Sequence, residues 1–95
     1  MLSWLFGAGG EAHEVLMYTR QGCHLCDDAW ALLQKAARRH RLSLTKIDVD
    51  TDPALVERYG LCVPVVLIDG KERFRGVVNE ALLGRTLRGP ATGSG

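Results

Sequence analysis

The sequence has few of the features that mark specialised classes of small protein. Its three cysteines are odd in number and sparse, which excludes the dense disulfide framework of small secreted domains. Twelve basic and eleven acidic residues give a formal net charge of +1, so no long-range field recruits nucleic acid or an anionic membrane. The apolar stretch from Leu2 to Phe6 is too short for a signal-peptide core or a membrane span. These absences predict a cytoplasmic protein that binds neither nucleic acid nor membrane.

Length and composition predict a single compact domain with loose ends. The chain has 95 residues, of which 46% are apolar and 24% are charged, as in ordinary globular proteins. Glycines at positions 7, 9 and 10 predict a flexible N-terminal arm over residues 1–13. The small, polar residues 89–95 predict a disordered tail.

The apolar pattern changes period several times in the first half of the chain. Residues 15–19 are a continuous apolar run, which predicts a strand covered on both faces. From residue 26 to about residue 40 the apolar positions recur every three or four residues, which predicts a helix with Trp30 in the core and a solvated basic end. Residues 42–50 alternate apolar and polar with a change of phase at Lys46, which predicts an edge strand with a bulge.

Two later helices have clear start and stop residues. Asp52 is expected to cap a short helix that begins at Pro53 and ends before Gly60. Asn79 is expected to cap a terminal helix that runs through Leu87.

Between these two helices the sequence predicts a β-hairpin. Residues 65–68 form a buried strand, Asp69-Gly70 supplies the turn, and residues 72–75 return. The resulting order, βαβαββα, predicts an α/β fold in which helices flank a four-stranded mixed sheet. The first strand is expected at the centre of the sheet and the second at its edge.

Cys23 and Cys26 fall where the first predicted strand ends and the first helix begins. Backbone N–H groups at a helix start carry partial positive charge and stabilise an anion such as a thiolate. Cys23, at the very start, is expected to be the exposed and activated thiol. Cys26, one turn inward, is close enough to attack a mixed disulfide formed on Cys23.

Charged neighbours are expected to tune the Cys23 thiol. Arg20 and His24 favour the thiolate when they are charged, whereas Asp27 and Asp28 oppose it. The expected net result is a modest lowering of the Cys23 pKa.

A second unusual feature is the segment CVPVV at residues 62–66. Proline cannot donate to a sheet ladder, so its place directly before a buried strand needs a reason. A cis peptide bond between Val63 and Pro64 supplies one, because it turns the chain sharply and presents backbone groups to a neighbouring site.

The segments YTRQGCHLC and CVPVVLIDG, with the βαβαββα order, resemble the glutaredoxin-like branch of the thioredoxin superfamily over residues 14–88. The resemblance implies a thiol–disulfide oxidoreductase without a bound cofactor, in which Cys23 is the nucleophile and Cys26 the resolving thiol. It also implies that Pro64 is the cis-proline that faces them, and that Val63 offers backbone hydrogen bonds to a bound substrate.

The chain departs from this family at several positions. His24 and Leu25 stand where glutaredoxins usually have proline and an aromatic residue, and Cys62 stands in place of a threonine. Of the family's later glutathione-binding motif only Gly76 is kept, as a substrate-binding residue, and Asn79 replaces the partner of the glutathione amino group. We therefore expect a monomer whose partners are protein or small-molecule disulfides, with glutathione a less favoured partner.

A competing hypothesis is a zinc or iron–sulfur site built from Cys23, Cys26 and Cys62, with His24 as a fourth ligand. Structural zinc usually has two cysteine pairs, and this chain has one pair, so the metal hypothesis is the weaker of the two. Cys62 is either a small buried residue at a strand start or a third thiol that pairs with Cys23 as a redox switch.

Overall fold

The computed structural model describes residues 12–89, and these residues form four strands and three helices. In chain order the elements are β1 (Ala12–Thr19), α1 (His24–Ala36), β2 (Arg41–Asp48), α2 (Pro53–Tyr59), β3 (Val65–Ile68), β4 (Lys71–Arg75) and α3 (Glu80–Arg88). A single 3₁₀ turn, Val49–Thr51, joins β2 to α2. The predicted order is confirmed. Ala12 and His13, which the sequence placed in the N-terminal arm, belong to β1; the rest of the arm, and the tail beyond residue 89, lie outside the described residues.

The strands form one mixed sheet in the order β2-β1-β3-β4. β1 pairs in parallel with β2 and antiparallel with β3, and β3 pairs antiparallel with β4. The expectation of a central first strand and an edge second strand is therefore confirmed. No helix within residues 12–89 has both the length and the apolar character needed to cross a membrane.

The bulge predicted in β2 is wrong. β2 pairs with β1 in an unbroken register from Arg41 to Asp48. Its change of phase has another cause, because the Lys46 ammonium lies 4.6 Å from the centre of the Trp30 ring and covers that half-buried side chain. The irregularity of the sheet lies instead between β3 and β4, where the register shifts after Val66.

α1 ends at Ala36, four residues before the end predicted near His40. The backbone N–H groups of Arg38 and Arg39 donate to carbonyls three residues back, at 3.1 and 3.0 Å. Such bonds tighten the last turn of a helix, and here they turn the chain into β2. The apolar period continued past the true end because Ala37 and His40 remain half-buried in this turn.

The predicted caps and hairpin are confirmed. An Asp52 carboxylate oxygen accepts the Ala54 N–H at 2.9 Å, and the Asn79 amide oxygen accepts the Leu82 N–H at 2.9 Å. In the β3–β4 turn, Asp69 and Gly70 both have positive φ, 54° and 85°. Positive φ at both central residues is what a two-residue type I′ hairpin requires.

The helices cover both faces of the sheet and so create two core clusters. The larger lies under α1 and α3, and its fully buried members include Met17, Leu33 and Leu83. The smaller lies under α2, where Tyr59 packs near Val65 and stacks on Tyr18 with ring centres 4.4 Å apart. The two clusters cover β1 unequally, because Val15 and Met17 on one face are buried, whereas Leu16 and Tyr18 on the other face are only half-buried. The expectation of a strand covered on both faces is therefore met only in part.

Candidate functional site

The first element of the site is the start of α1. Cys23 is the N-cap residue, with extended backbone angles of φ −97° and ψ 106°. Its Sγ accepts the backbone N–H of Cys26 at 3.1 Å, so the sulfur occupies the place that a serine or aspartate oxygen takes in most helix caps. Gly22, at φ +77°, makes the turn that brings the chain from β1 to this position.

The two cysteines of the motif lie in different environments. Cys26 is 1% exposed and belongs to the larger core cluster, whereas Cys23 is half-buried and only packs against it. Burial raises the pKa of the Cys26 thiol, and the hydrogen bond with Cys23 raises it further. Cys23 is therefore the accessible thiol and Cys26 the one held back as the neutral, protonated form. Cys23, which was expected to be exposed, is half-buried, and Cys26 lies deeper as expected; their roles as nucleophile and resolving thiol stay predictions.

A second loop brings a proline to the same end of the sheet. The Val63–Pro64 peptide bond is cis, and Val63 packs against the same core cluster as Cys23. The Pro64 carbonyl accepts the Gly76 N–H at 2.8 Å, which ties the β4–α3 connection to this loop. Gly76 has φ +86°, and open space surrounds it where a Cβ would stand. The structure thus brings together Val63, Pro64 and Gly76, the three residues expected to bind substrate.

Arg20 and His24, the residues expected to tune the thiol, are placed differently from each other. The Arg20 guanidinium donates to both carboxylate oxygens of Asp50, at 2.9 to 3.2 Å, and to the Gly60 carbonyl at 3.1 Å. The hydrogen bond to Asp50 raises the pKa of Arg20. His24 is the exposed first residue of α1. The influence of either residue on the Cys23 thiolate stays a prediction.

Cys62 lies apart from the pair and has its own partner. It packs against the smaller core cluster, under α2. One guanidinium nitrogen of Arg75 donates to the Cys62 Sγ at 3.1 Å, and the other two bind the Glu72 carboxylate at 2.8 and 2.9 Å. These contacts raise the pKa of Arg75. Nothing in the sequence indicated this contact, because Arg75 stands thirteen residues from Cys62 on an edge strand.

The ligand set of the metal hypothesis is not assembled. Within residues 12–89, no three side chains of His, Cys, Asp or Glu are arranged to hold a metal ion. Cys62 faces the core cluster under α2, whereas Cys23 and Cys26 pack with the cluster under α1 and α3. The three cysteines therefore do not form a common site.

Exposed apolar side chains border the site, and the sequence reasoning did not select them. Leu25, Leu61 and Val77 are 49%, 98% and 66% exposed. Each adjoins a candidate site residue, because Leu25 lies between the two cysteines, Leu61 precedes the cis-proline loop and Val77 follows Gly76. We call these three side chains the apolar rim. Leu61 and Val77 fall between the periodic segments of the sequence, and this signal could have identified them, whereas Leu25 lies in the first turn of α1.

The geometry of this site can be compared with known proteins. A model of the Glutaredoxin-like domain (DUF836) family matches residues 14–88, which includes both cysteines, Pro64 and Gly76. The chain belongs to this glutaredoxin-like family. No curated protein matches the chain.

Solved structures of similar proteins support this placement. The glutaredoxin-like domain is 28% identical to protein Ne2328 from Nitrosomonas europaea, with a TM-score of 0.70 over 81% of this chain and 93% of that one. It is 30% identical to structural genomics target protein XcR50 from X. campestris, with a TM-score of 0.65 over 77% and 93% of the two chains. A thioredoxin from Fasciola hepatica, at 24% identity, 90% and 88% coverage and a TM-score of 0.55, shares the fold. The glutaredoxin-like domain therefore has the thioredoxin fold, with its cysteine pair in a position that fits a redox role.

Proposed function

We propose that this protein is a thiol–disulfide oxidoreductase, acting as an electron carrier or disulfide reductase, in which Cys23 is the nucleophile and Cys26 the resolving thiol. The observation that carries the proposal is the contrast between the two thiols at the start of α1. Cys23 is half-buried and its sulfur accepts a backbone N–H at 3.1 Å, while Cys26 is 1% exposed. Hydrogen bonding to a sulfur favours its anionic form, and burial favours the neutral form.

The proposed reaction has two exchange steps. The Cys23 thiolate attacks one sulfur of a substrate disulfide, forms a mixed disulfide and releases the other substrate sulfur as a thiolate, which takes up a proton. Cys26 then loses its proton and attacks the Cys23 sulfur, which releases the second substrate thiol and leaves a Cys23–Cys26 disulfide. Two electrons and two protons pass to the substrate. The raised pKa of Cys26 keeps it protonated until the mixed disulfide has formed.

The surroundings of the site support a disulfide in a polypeptide or a small molecule as substrate. The apolar rim offers exposed hydrophobic contacts from the first turn of α1, the α2–β3 loop and the β4–α3 connection. The Asn79 side chain, which stands at the glutathione-binding position of the family, is engaged in capping α3. Glutathione is accordingly the less favoured partner in this proposal.

We also propose electrostatic roles for two charged neighbours of the cysteine pair. We include His24 as a residue that favours the Cys23 thiolate when protonated, because it is exposed one position after Cys23. Arg20 is included at longer range, since its guanidinium is bound to Asp50. The three sparse cysteines suit the reducing cytoplasm, and the proposal includes a monomeric protein.

Single cysteine variants test this function directly. With a disulfide-bonded peptide as substrate, Cys23→Ser should abolish exchange, and Cys26→Ser should accumulate a mixed disulfide on Cys23 because the second step is blocked. Peptide mapping by mass spectrometry identifies the modified residue. Cys62→Ser is the matched control and should retain exchange, since Cys62 packs against a different core cluster.

Two results would contradict the proposal. If the Cys23→Ser variant exchanged disulfides at the rate of the wild type, Cys23 would not be the nucleophile. If the mixed disulfide in the Cys26→Ser variant formed on Cys62, the nucleophile would be Cys62, which packs against the smaller core cluster. Folding of each variant is checked by circular dichroism, so that loss of structure is not mistaken for loss of a thiol.

A further inference from the structure

Two basic segments far apart in the sequence meet in one groove of the fold. Half of the twelve basic residues lie in residues 35–41 and 85–88, and these two segments contain no acidic residue. The sequence alone explains each segment as a solvated helix end. In the structure Lys35, near the end of α1, and Arg39 and His40, in the turn after it, line the same groove as Arg85 and Arg88 of α3. The groove has a volume of about 320 Å³. We call these five residues and the space between them the basic groove.

Most of the positive charge in the basic groove is unmatched within the described residues. Lys35 pairs with Glu80 at 2.8 Å and so ties α1 to α3. Among residues 12–89, no carboxylate lies within ion-pair distance of Arg39, Arg85 or Arg88. A Cβ placed on Gly84 would lie 3.2 Å from an Arg88 guanidinium nitrogen, so the Arg88 side chain bends back over the helix surface. The groove therefore offers several guanidinium groups to an anionic ligand.

The floor of the groove limits the kind of anion that fits. It is apolar, formed by Leu32, Ala36, Ala81 and Leu83 with Gly84 between them. Within the described part of the chain, residues 12–89, the lining contains no aromatic ring on which a nucleotide base could stack.

At one end of the groove, the backbone N–H groups that begin α3 are not available to bind an anion. The first turn of α3 is capped by the Asn79 side chain and carries the Glu80 carboxylate, so its N–H groups do not form a cradle for a compact phosphate. An apolar floor with spaced arginines instead suits a peptide that alternates carboxylate and apolar side chains.

We propose that the basic groove binds an acidic, partly apolar segment of a partner polypeptide. Guanidinium groups bind carboxylates through paired hydrogen bonds, and the apolar floor receives a side chain such as leucine. The chain's own ends do not complement the groove, because residues 1–11 contain one acidic residue and residues 90–95 contain none. The proposal does not rest on the redox function.

The groove is also separate from the thiols. Along α1, Lys35 lies about 18 Å from Cys23, at about 1.5 Å per residue. A partner held in the basic groove would therefore leave Cys23 accessible to a disulfide.

The test is fluorescence anisotropy on the intact protein with a labelled peptide of sequence Glu-Glu-Leu-Glu-Glu-Leu-Glu-Glu. We expect saturable binding that weakens as NaCl rises from about 50 to about 300 mM, because exposed charges are screened. The same peptide with glutamine in place of glutamate should not bind. The double variant Arg39→Gln/Arg85→Gln should weaken binding roughly fivefold or more, with an unchanged rate of exchange at Cys23.

Arg38→Gln is the matched control for Arg39→Gln. Arg38 is the preceding residue in the same turn, is exposed and carries the same charge, but does not line the groove. Equal weakening by Arg38→Gln and Arg39→Gln would overturn the proposal in favour of a general positive field. Absence of binding by the wild type, or displacement of the peptide by tripolyphosphate at lower concentration than by the unlabelled peptide, would also overturn it. Sedimentation velocity must show that peptide binding occurs on a monomer, since self-association through the groove would assign it to a second copy.

Discussion

The polar atoms near the two ends of β1 differ in burial and in hydrogen bonding. At the beginning of the strand His13 is 2% exposed, its Nδ1 lies 2.6 Å from an Asp69 carboxylate oxygen, and its Nε2 lies 3.1 and 3.2 Å from the carbonyls of Leu87 and Gly89. Just beyond the other end Cys23 is half-buried and its sulfur accepts one backbone N–H. At the beginning of β1 the buried polar atoms are hydrogen-bonded to each other. Beyond its other end, the sulfur of Cys23 remains accessible.

This difference distinguishes a polar cluster that stabilises the fold from a group that can react with a substrate. A buried polar group is tolerated when all its hydrogen-bonding capacity is used, and residues 12–89 contain no buried side-chain nitrogen or oxygen without a partner. His13 and Asp69 join β1, the β3–β4 turn and the end of α3, since Asp69 also accepts the Glu14 N–H at 2.9 Å. A saturated cluster of this kind has no atom left with which to bind a substrate. Polarity and burial alone therefore do not mark a functional site.

The largest expected change in stability comes from breaking the saturated end. His13→Leu introduces an apolar side chain of similar size and removes the imidazole that hydrogen-bonds the Asp69 carboxylate, which is only 8% exposed. Removing one partner of a buried hydrogen bond to a carboxylate costs about 2 to 3 kcal/mol in the free energy of unfolding. Urea denaturation measures this loss. The rate at which iodoacetamide modifies Cys23 in the folded protein should stay unchanged.

Asp69→Asn is the companion variant for this prediction. It removes the charge but keeps an oxygen that can accept the Glu14 N–H, so we expect a smaller loss of stability than in His13→Leu. A loss below about 1 kcal/mol in His13→Leu would show that this polar cluster contributes little to the stability of the fold. A changed Cys23 reaction rate would show that the two ends are coupled.

A smaller effect is expected near the accessible end, where Gly76 lies beside Pro64. Gly76→Ala meets no atom within 4 Å, so its cost comes only from φ +86° and should be about 1 to 2 kcal/mol. Gly84→Ala, in the middle of α3, should instead stabilise by up to about 1 kcal/mol. Thermal unfolding of the two variants should therefore shift in opposite directions. Equal shifts would mean that backbone conformation at Gly76 does not limit substitution.

Much of the fold could be predicted because local residues determine it. The Asp52 and Asn79 caps and the Asp69-Gly70 turn each act within a few residues, and all three appear in the structure where the sequence indicated. The end of α1 was misplaced because residues 37–40 lack a glycine or proline that would stop a helix. α1 ends where the chain turns into β2, so the position of its end depends on tertiary structure and not on a local stop residue.

The candidate site also combines features that local sequence determines with contacts between residues far apart in the chain. The position of Cys23 and Cys26 at a helix start follows from a local change of period, and it was predicted. The His13–Asp69 pair joins residues 56 positions apart, and the basic groove joins segments about as distant, so no local pattern indicated either. Arg20 shows the same limit, because its partner Asp50 lies thirty positions along the chain.

The smallest expected effect concerns the buried thiol at the accessible end and appears only at alkaline pH. Burial raises the pKa of Cys26 in the folded protein, whereas in the unfolded chain a thiol loses its proton near its ordinary value of about 8.5. Above that value the unfolded state binds fewer protons than the folded state, so stability falls as pH rises until the folded thiol also ionises.

Cys26→Ala should therefore make the urea midpoint fall less steeply between about pH 8 and about pH 10 than in the wild type, measured with a reductant present. The substitution also leaves a cavity, which lowers stability at every pH, so the slopes are compared and not the absolute values. Val66→Ala, which also leaves a cavity in the larger core cluster but removes no titratable group, should keep the slope of the wild type. If Cys26→Ala keeps it as well, the thiol is not desolvated in the folded state, and the contrast between Cys23 and Cys26 on which the redox assignment depends loses its physical basis.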